Sequence, residues 1–241
     1  MPEILAAIHP EPSASPGTQG AAEGREHEPV VSVQVPISTA RTATNIPPVT
    51  LLESGSANLD WPELKEVVRD CTACKLRAGC ARTVFGVGDE KADWLFVGEA
   101  PGADEDARGE PFVGEAGKLL DNMLMAIKLK RGINVYIANI VKCRPQENHT
   151  PTTDEIATCL PYLHRQIELI QPKLIVALGK VASNALLGKE ATLASLRGTL
   201  HDYNGIPLIV TYHPAYLLRS PSEKSKAWQD LCLAVRVKGE A

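Results

Sequence analysis

The sequence predicts an α/β fold whose centre is a parallel sheet of four strands. Apolar runs of strand length alternate with stretches of helical periodicity from about residue 60 onward in the 241-residue chain. A helical stretch separates consecutive strands, which implies right-handed crossovers between parallel strands. The first buried run leads into a Gly- and Pro-rich loop at 98–114. Loops at the carboxyl edge of such sheets are where α/β proteins bind ligands.

The alternation can be assigned element by element. Strand-like runs lie at residues 93–98, 134–141, 172–178 and 207–212, and helical patterns lie at about 115–129, 153–170, 179–187 and 221–236. In the second of these helices, Thr153 is the expected cap, followed by acidic residues in the first turn.

A further helix is expected at the start of the folded region. Asp60 can cap it and Pro62 suits its first turn. Leu64, Val67 and Val68 supply an apolar side.

The first 58 residues differ from the rest in composition. They contain eight of the 18 prolines and no Phe, Trp or Tyr, and six Glu against two Arg give them a net charge of −4. Such a segment cannot bury enough apolar surface to offset its ordering entropy. We therefore expect residues 1–58 to form a disordered tail and residues 59–241 to form the folded domain.

Charge and hydropathy narrow the classes of partner. The region after residue 58 holds 23 acidic and 23 basic residues, so a nucleic acid would have to bind through a local basic surface. No apolar run approaches the roughly 20 residues that span a bilayer. The N-terminus has only Ile4 to Ile8 as an apolar stretch and no basic segment before it, so we expect no secretory signal. We expect no membrane association.

The six cysteines favour a reducing compartment, where clustered cysteines bind metal more often than they form disulfides. Cys71 and Cys74 form a Cys-x-x-Cys pair, and Cys143 and Cys159 follow much later in the chain. From spacing alone, a four-thiolate zinc site and an iron–sulfur cluster are both allowed. The two other cysteines, Cys80 and Cys232, are expected to behave as small buried apolar side chains.

Three blocks of sequence carry a resemblance to a known family. They are Gly98-Glu-Ala-Pro-Gly with Gly109-Glu-Pro-Phe-Val-Gly, Asn139-Ile-Val-Lys-Cys-Arg-Pro, and His213-Pro-Ala-Tyr-Leu-Leu-Arg. Together they resemble the signature motifs of the family 4 uracil-DNA glycosylases over about residues 60–236. The resemblance implies a three-layer α/β/α domain. It also implies that Cys71, Cys74, Cys143 and Cys159 hold a 4Fe–4S cluster, and so favours iron–sulfur over zinc.

Uracil excision requires the base to leave the DNA stack and enter a pocket. Phe112 suits stacking on the base, although a Phe in this loop could equally be a core anchor. The Asn139 carboxamide can donate to uracil O4 and accept from N3–H, a pairing that cytosine cannot offer. His213 can donate to uracil O2, where negative charge develops. Alternatively, Asn139 forms a turn and His213 has only a structural role.

The remaining pocket and DNA contacts follow from the same motifs. Glu99, Ala100, Gly102, Val113 and Gly114 are expected to line the uracil pocket. Leu217 or Leu218 could fill the space left by the extruded base, and Arg219 could meet a phosphate. Alternatively, this block is the start of an ordinary helix. Backbone amides near Gly114 and the helix starting at Glu115 could bind a second phosphate.

The group that positions the attacking water is the least defined. Some related glycosylases have an Asp at the position of Ala100, so Glu99 or Glu105 is the expected substitute. A dissociative route, in which expulsion of the uracil anion dominates, needs little base assistance. Asp104, Asp106 and Glu110 better fit solvated carboxylates.

The sequence therefore predicts a monofunctional uracil-DNA glycosylase, since no lysine is evidently placed for Schiff-base chemistry. Its expected substrate is uracil in single- or double-stranded DNA. We expect a cytoplasmic, nucleoid-associated monomer, with a replication or repair partner for the tail. Two other functions stay open: a uracil-DNA capture protein with little turnover, and a non-catalytic metal-bearing accessory module.

Overall fold

The carboxyl ends of four parallel strands lie along one edge of the central sheet. The structure, a computed structural model, describes residues 56–240, without the side chain of Glu240. The predicted tail lies outside the described residues except for its last three positions. Among these, Ser56 is already buried and accepts a hydrogen bond from the Leu59 amide at 3.2 Å.

The sheet has six strands instead of the predicted four. They are β1 (Val87–Gly88), β2 (Trp94–Gly98), β3 (Val135–Asn139), β4 (Leu174–Leu178), β5 (Leu200–Tyr203) and β6 (Ile206–Thr211), in the order β1-β3-β2-β4-β6-β5. The central β3, β2, β4 and β6 are the predicted parallel strands. The edge strands β1 and β5 run antiparallel to their neighbours. They escaped prediction because β1 has two residues and β5 reads Leu-His-Asp-Tyr, largely polar.

Helices cover both faces of the sheet. They are α1 (Trp61–Arg69), α2 (Leu76–Gly79), α3 (Ala103–Arg108), α4 (Glu115–Ala126), α5 (Thr153–Ile170), α6 (Lys180–Leu187), α7 (Leu193–Leu196), α8 (Pro214–Arg219) and α9 (Lys224–Glu240), with 3-10 turns at Gln146–Asn148 and Pro221–Glu223. None of the helices in the described part is long and apolar enough to cross a membrane.

Alternate residues of the central strands feed two separate apolar cores, which gives the α/β/α layers. On β2, Leu95 and Val97 pack with α5 and α6, whereas Trp94 and Phe96 pack with α4 and α9. Every residue of β2, β3 and β4 is buried, as expected for strands covered on both sides.

Local capping chemistry explains where two of the helices begin. Asp60 caps α1 by accepting from the Glu63 amide at 2.9 Å, and the Glu63 carboxylate accepts from the Asp60 amide in return. The same capping box starts α5, but its cap is Thr152, one residue before the predicted Thr153. Glu155, three residues after Thr152, closes that box.

Candidate active site

The predicted site residues come from separate segments that end at the same edge of the sheet. Gly98 and Asn139 are paired residues at the carboxyl ends of β2 and β3. Gly179 follows β4, and His213 follows β6 and caps α8. Phe112 reaches this edge from the loop between α3 and α4. This is the position at which open α/β sheets bind ligands.

Phe112, Asn139 and His213 lie around one space. A Cβ atom built on Gly98 would lie 2.6 Å from the Phe112 Cζ and 2.5 Å from the Asn139 Oδ1, so both side chains converge on this glycine. The Phe112 and His213 rings are 5.5 Å apart between centroids, tilted by 30°. The absence of a side chain at Gly98 therefore lets Phe112 and Asn139 approach each other, and Phe112 in turn lies beside His213.

Glu105 folds the loop that presents Phe112. Its Oε1 accepts from the Val113 and Gly114 amides at 2.8 and 3.1 Å, and its Oε2 accepts from the Gly102 amide at 3.1 Å. Both carboxylate oxygens are thus used within the loop. The prediction for the water-positioning carboxylate is narrowed to Glu99. The Val113 and Gly114 amides are likewise taken, so they are not available for the expected phosphate; binding of a phosphate by the helix that starts at Glu115 stays a prediction.

The backbone of Asn139 is held by a hydrogen bond, whereas its side-chain carboxamide is left available to a ligand. Asn139 is 1% exposed, and its Oδ1 finds no hydrogen-bond partner within residues 56–240. Its backbone carbonyl accepts from Lys142 Nζ at 3.0 Å. A buried acceptor without a partner is costly unless a ligand satisfies it, so this atom fits a recognition role.

Lys142 is a buried neighbour of Asn139 that was not predicted from the sequence. It is 2% exposed, and besides Asn139 its Nζ donates to Gln166 Oε1 at 2.6 Å. Burial lowers the pKa of Lys142 to about 8. Gln166 in turn donates to the Phe85 carbonyl at 3.0 Å. The only available signal was an apolar run containing one lysine, Ile-Val-Lys-Cys, within a motif.

His213 is arranged to present one nitrogen as a donor. Its Nδ1 accepts from the Ala215 amide at 3.2 Å. Burial, and secondarily the nearby Arg219, lower the pKa of His213 to about 4, so the ring is neutral near pH 7. Because Nδ1 is an acceptor, the proton of the neutral ring resides on Nε2.

The other acidic residues of the loop divide by burial. Glu99 is half-buried, and burial raises the pKa of its carboxyl group. Ala100 beside it packs against the apolar core. Asp104 and Glu110 are exposed, as expected. Asp106 is instead buried, accepting from the Ala81 and Arg82 amides at 2.9 and 3.2 Å, which corrects its assignment as a solvated carboxylate.

Helix α8 separates the two candidate wedge residues. Leu217 is 1% exposed and belongs to the apolar core beneath the helix, whereas Leu218 is 43% exposed. The expectation that one of them enters DNA is thereby narrowed to Leu218, since Leu217 cannot leave the core without unpacking it. Arg219 is exposed beside Leu218, where it can meet a phosphate.

Four thiols lie around one small pocket on the α5 side of the sheet. The pocket is lined by Cys71, Cys74, Cys143 and Cys159, together with Lys142 and Tyr162 among its other walls. Tyr162 donates to the Cys71 sulfur at 3.4 Å, and the Lys142 amide donates to that of Cys159 at 3.3 Å. The donor set is chemically uniform and fits a thiolate-ligated group.

The pKa values and the arrangement of these thiols indicate what kind of metal group they could bind. Burial raises the pKa of Cys74 and Cys143, and that of Cys159 to about 11, so a bound cation would have to deprotonate them. Within residues 56–240 no three His, Cys, Asp or Glu side chains are arranged to hold a single metal ion. Cys80 is buried, as predicted, and lies near Cys143, whereas Cys232 is only half-buried.

Comparison with known proteins identifies the family to which this chain belongs. The model of the uracil DNA glycosylase superfamily matches residues 85–232, and the chain belongs to that superfamily. Within it, the chain is similar to type-4 uracil-DNA glycosylases. The protein of Pyrobaculum aerophilum is 40% identical over 185 residues, covering 73% of this chain and 93% of the relative. Those of Archaeoglobus fulgidus and Thermotoga maritima are 42% and 44% identical, over 69% and 67% of this chain and 89% and 84% of the relatives.

Proposed function

We propose that this protein is a monofunctional uracil-DNA glycosylase of base excision repair. It takes uracil out of the DNA stack and hydrolyses the bond between base N1 and sugar C1′, leaving an abasic site. The observation that carries the proposal is the position of Phe112, which lies against Asn139 at Gly98 and beside the His213 ring. A stacking ring, a carboxamide and a hydrogen-bond donor are the groups that recognition and activation of uracil require.

Recognition of the base is assigned to Phe112 and Asn139. The Phe112 ring stacks on the pyrimidine face. The unpartnered Asn139 oxygen accepts from uracil N3–H, and the amide nitrogen of the same carboxamide donates to uracil O4. Cytosine presents an acceptor at N3 and a donor at C4, so it would leave both groups of the carboxamide mismatched.

Departure of the base is assigned to His213. As the glycosidic bond breaks, the electron pair moves onto the uracil ring and negative charge builds on O2. The neutral His213 ring offers its Nε2–H to that oxygen, while the Ala215 amide holds the opposite nitrogen. A preorganised donor of this kind contributes about 3 kcal/mol to transition-state stabilisation. No proton needs to be transferred for this contribution.

Water attack at C1′ completes the reaction, with a dissociative order in which bond breaking leads. Glu99 adjoins Gly98, orients the water as a carboxylate and takes up the proton that the water loses as its oxygen bonds to C1′. Lys142 contacts the recognition residue, but its Nζ is buried and donates to two acceptors, the Asn139 carbonyl and Gln166 Oε1. It is therefore not available as a Schiff-base nucleophile, in keeping with hydrolysis alone.

DNA contacts are assigned to α8. Leu218 fills the gap left in the stack, and Arg219 binds a neighbouring phosphate. The substrate is uracil in single- or double-stranded DNA, bound by one copy of the chain in the cytoplasm. The proposed partner of the N-terminal segment is a replication or repair protein.

Cys71, Cys74, Cys143 and Cys159 are proposed to hold a 4Fe–4S cluster. A single zinc ion needs its thiolates within about 3.8 Å of one another, given Zn–S bonds of about 2.3 Å. A cluster attaches its cysteines at separate corners and suits wider spacing. The group would supply structural cross-linking, tying the segment after α1 to the loop after β3 and to α5. This packing holds Lys142, and through it Asn139.

A uracil-DNA capture protein is the rival that a direct assay separates from this proposal. A capture protein of this kind would need a basic loop to hold the DNA, and residues 188–200 are the segment that would supply it. Arg197 of this segment is, however, already bound to Asp230 at 2.7 Å and stacked over Tyr212 at 4.3 Å. The test is anaerobic purification followed by a uracil-release assay and a denaturing gel on one sample. Free uracil with repeated turnover supports the glycosylase. A DNA–protein adduct that survives denaturation supports capture, and no release from any uracil-containing strand supports an accessory module.

A further inference from the structure

Arg131 binds the loop that carries Phe112, although it lies outside every motif noted in the sequence. It lies in the connection between α4 and β3. Its guanidinium donates to two consecutive carbonyl oxygens, those of Pro111 at 2.9 Å and Phe112 at 2.8 Å. Asp121 of α4 accepts from its Nε at 3.0 Å and thereby orients the guanidinium plane. The planar fork of arginine suits this double contact, which a lysine could not reproduce.

Arg131 and Glu105 together fix both peptide planes beside Phe112. The Pro111 carbonyl belongs to the plane before Phe112, and the Phe112 carbonyl and Val113 amide belong to the plane after it. Arg131 holds both carbonyls, and Glu105 holds the Val113 amide at 2.8 Å. A residue has only the two dihedrals that relate these planes, so Phe112 has no soft backbone rotation left.

Phe112 needs such restraint because its backbone is in an unfavourable region. Its φ is 55°, a left-handed conformation that bulky side chains rarely adopt. Helix α4 passes so close that a Cβ atom at Gly117 would collide with the Phe112 carbonyl oxygen. A conformation of this kind persists only where surrounding contacts over-determine it. Here it aims the ring toward His213.

We infer that Arg131 is a positioning residue, which sets the ring of Phe112 against the flipped base without touching the base itself. The inference rests on the proposed function and assigns it a further determinant. The Arg131 side chain is 23% exposed, so its charge is largely committed to the loop and to Asp121.

A double-mutant cycle tests this role. R131M keeps the aliphatic length and removes every donor, and we expect single-turnover uracil release to fall about 10- to 100-fold, as for misplacement of a binding group. In the F112A background the same substitution should change the rate by less than about 2-fold, because the ring through which Arg131 acts is gone. R131K and D121N should give smaller losses with the same coupling. R165M is the matched control, since Arg165 also binds a carbonyl, that of Leu59 at 2.7 Å, which lies outside the loop that carries Phe112; it should leave the rate unchanged.

The outcomes separate this inference from the proposed function. Wild-type release of uracil from the same oligonucleotide tests the function, and its absence refutes both. An active wild type with R131M at full rate overturns the inference alone, as does an R131M loss of equal size in the F112A background. Should R131M fail to fold by circular dichroism, R131K and D121N carry the same cycle, and additive losses in both overturn the inference.

Discussion

The Phe112 ring lies 5.5 Å from the His213 ring, between segments that are far apart in the chain. One ring comes from a loop after β2 and the other from the end of β6, on opposite sides of β4 in the sheet order. A pyrimidine stacked on Phe112 therefore has its edge within reach of His213. In the proposed mechanism, this relationship links base recognition to leaving-group stabilisation.

Leu217 and Leu218 offer a pair of adjacent substitutions with opposite consequences. L218A should leave the free energy of unfolding unchanged and lower uracil release, because it removes only an exposed DNA-facing side chain. L217A should destabilise the fold by about 2–5 kcal/mol through a core cavity. Urea unfolding and single-turnover release on both variants check this, and equal stability of the two would contradict the assignment.

The raised pKa of Glu99 predicts a pH dependence of catalysis. Water orientation requires the carboxylate, so kcat/KM should fall as the pH drops through a pKa above the usual 4.5. E99Q should lower the rate and abolish this acidic limb. D104N, which alters an exposed carboxylate of the same loop, should keep the wild-type profile. An acidic limb that persists unchanged in E99Q would remove Glu99 from the mechanism.

His213 predicts a pH dependence of stability. Its pKa is about 4 in the folded protein against 6.5 for an unperturbed His, so the unfolded chain binds the proton more readily. Lowering the pH from 6.5 to 4 should therefore favour unfolding, by at most about 3 kcal/mol from this group. Denaturant unfolding across this interval should show a steeper loss in the wild type than in H213Q. Parallel curves for the two proteins would show that the ring is not protected from protonation.

The thiol pocket predicts which cysteines matter. C71S and C159S should lose the visible absorption of a cluster in anaerobically purified protein and melt at a lower temperature. C232S should retain both properties, since Cys232 lies on α9 away from the pocket. C80A should retain the absorption too, although it alters a neighbour of Cys143. Loss of colour in C232S but not in C71S would reverse the assignment.

The Lys142 side chain predicts a coupling between stability and recognition. K142M leaves the Gln166 oxygen and the Asn139 carbonyl without their donor, which should cost about 1–3 kcal/mol. Uracil release should fall as well, because Asn139 loses its backbone anchor. K173M removes an exposed lysine that pairs with Asp93 and should change neither quantity. Wild-type stability of K142M would mean that the buried network contributes nothing.

What the sequence could predict was set by how strongly each residue's neighbours in the chain constrain it. The central strands are continuous apolar runs, and their parallel direction followed from their alternation with helices. Strand β1 pairs only Val87 and Gly88, too short for periodicity to register. Helix α3 was not predicted because glycines flank it and make the whole segment resemble a loop.

The residues of the candidate site likewise differ in how far the sequence could predict them. Residues that act through their own side chains, such as Asn139, stood out within motifs. Residues that act by binding distant backbone did not: the partners of Arg131 are 19 and 20 positions away, and those of Asp106 are 24 and 25 away. Leu217 and Leu218 are indistinguishable in sequence, and only helix phase decides which one is buried.

The most direct test of the account is single-turnover uracil release by wild type, N139A and H213A, each purified anaerobically with its visible spectrum recorded. We expect both variants to fold and keep the wild-type spectrum while release falls about 100-fold, the effect of one lost preorganised donor. H149A, which alters an exposed histidine, is the control and should release uracil at the wild-type rate. Wild-type rates in both N139A and H213A would contradict the claim that these side chains grip the base.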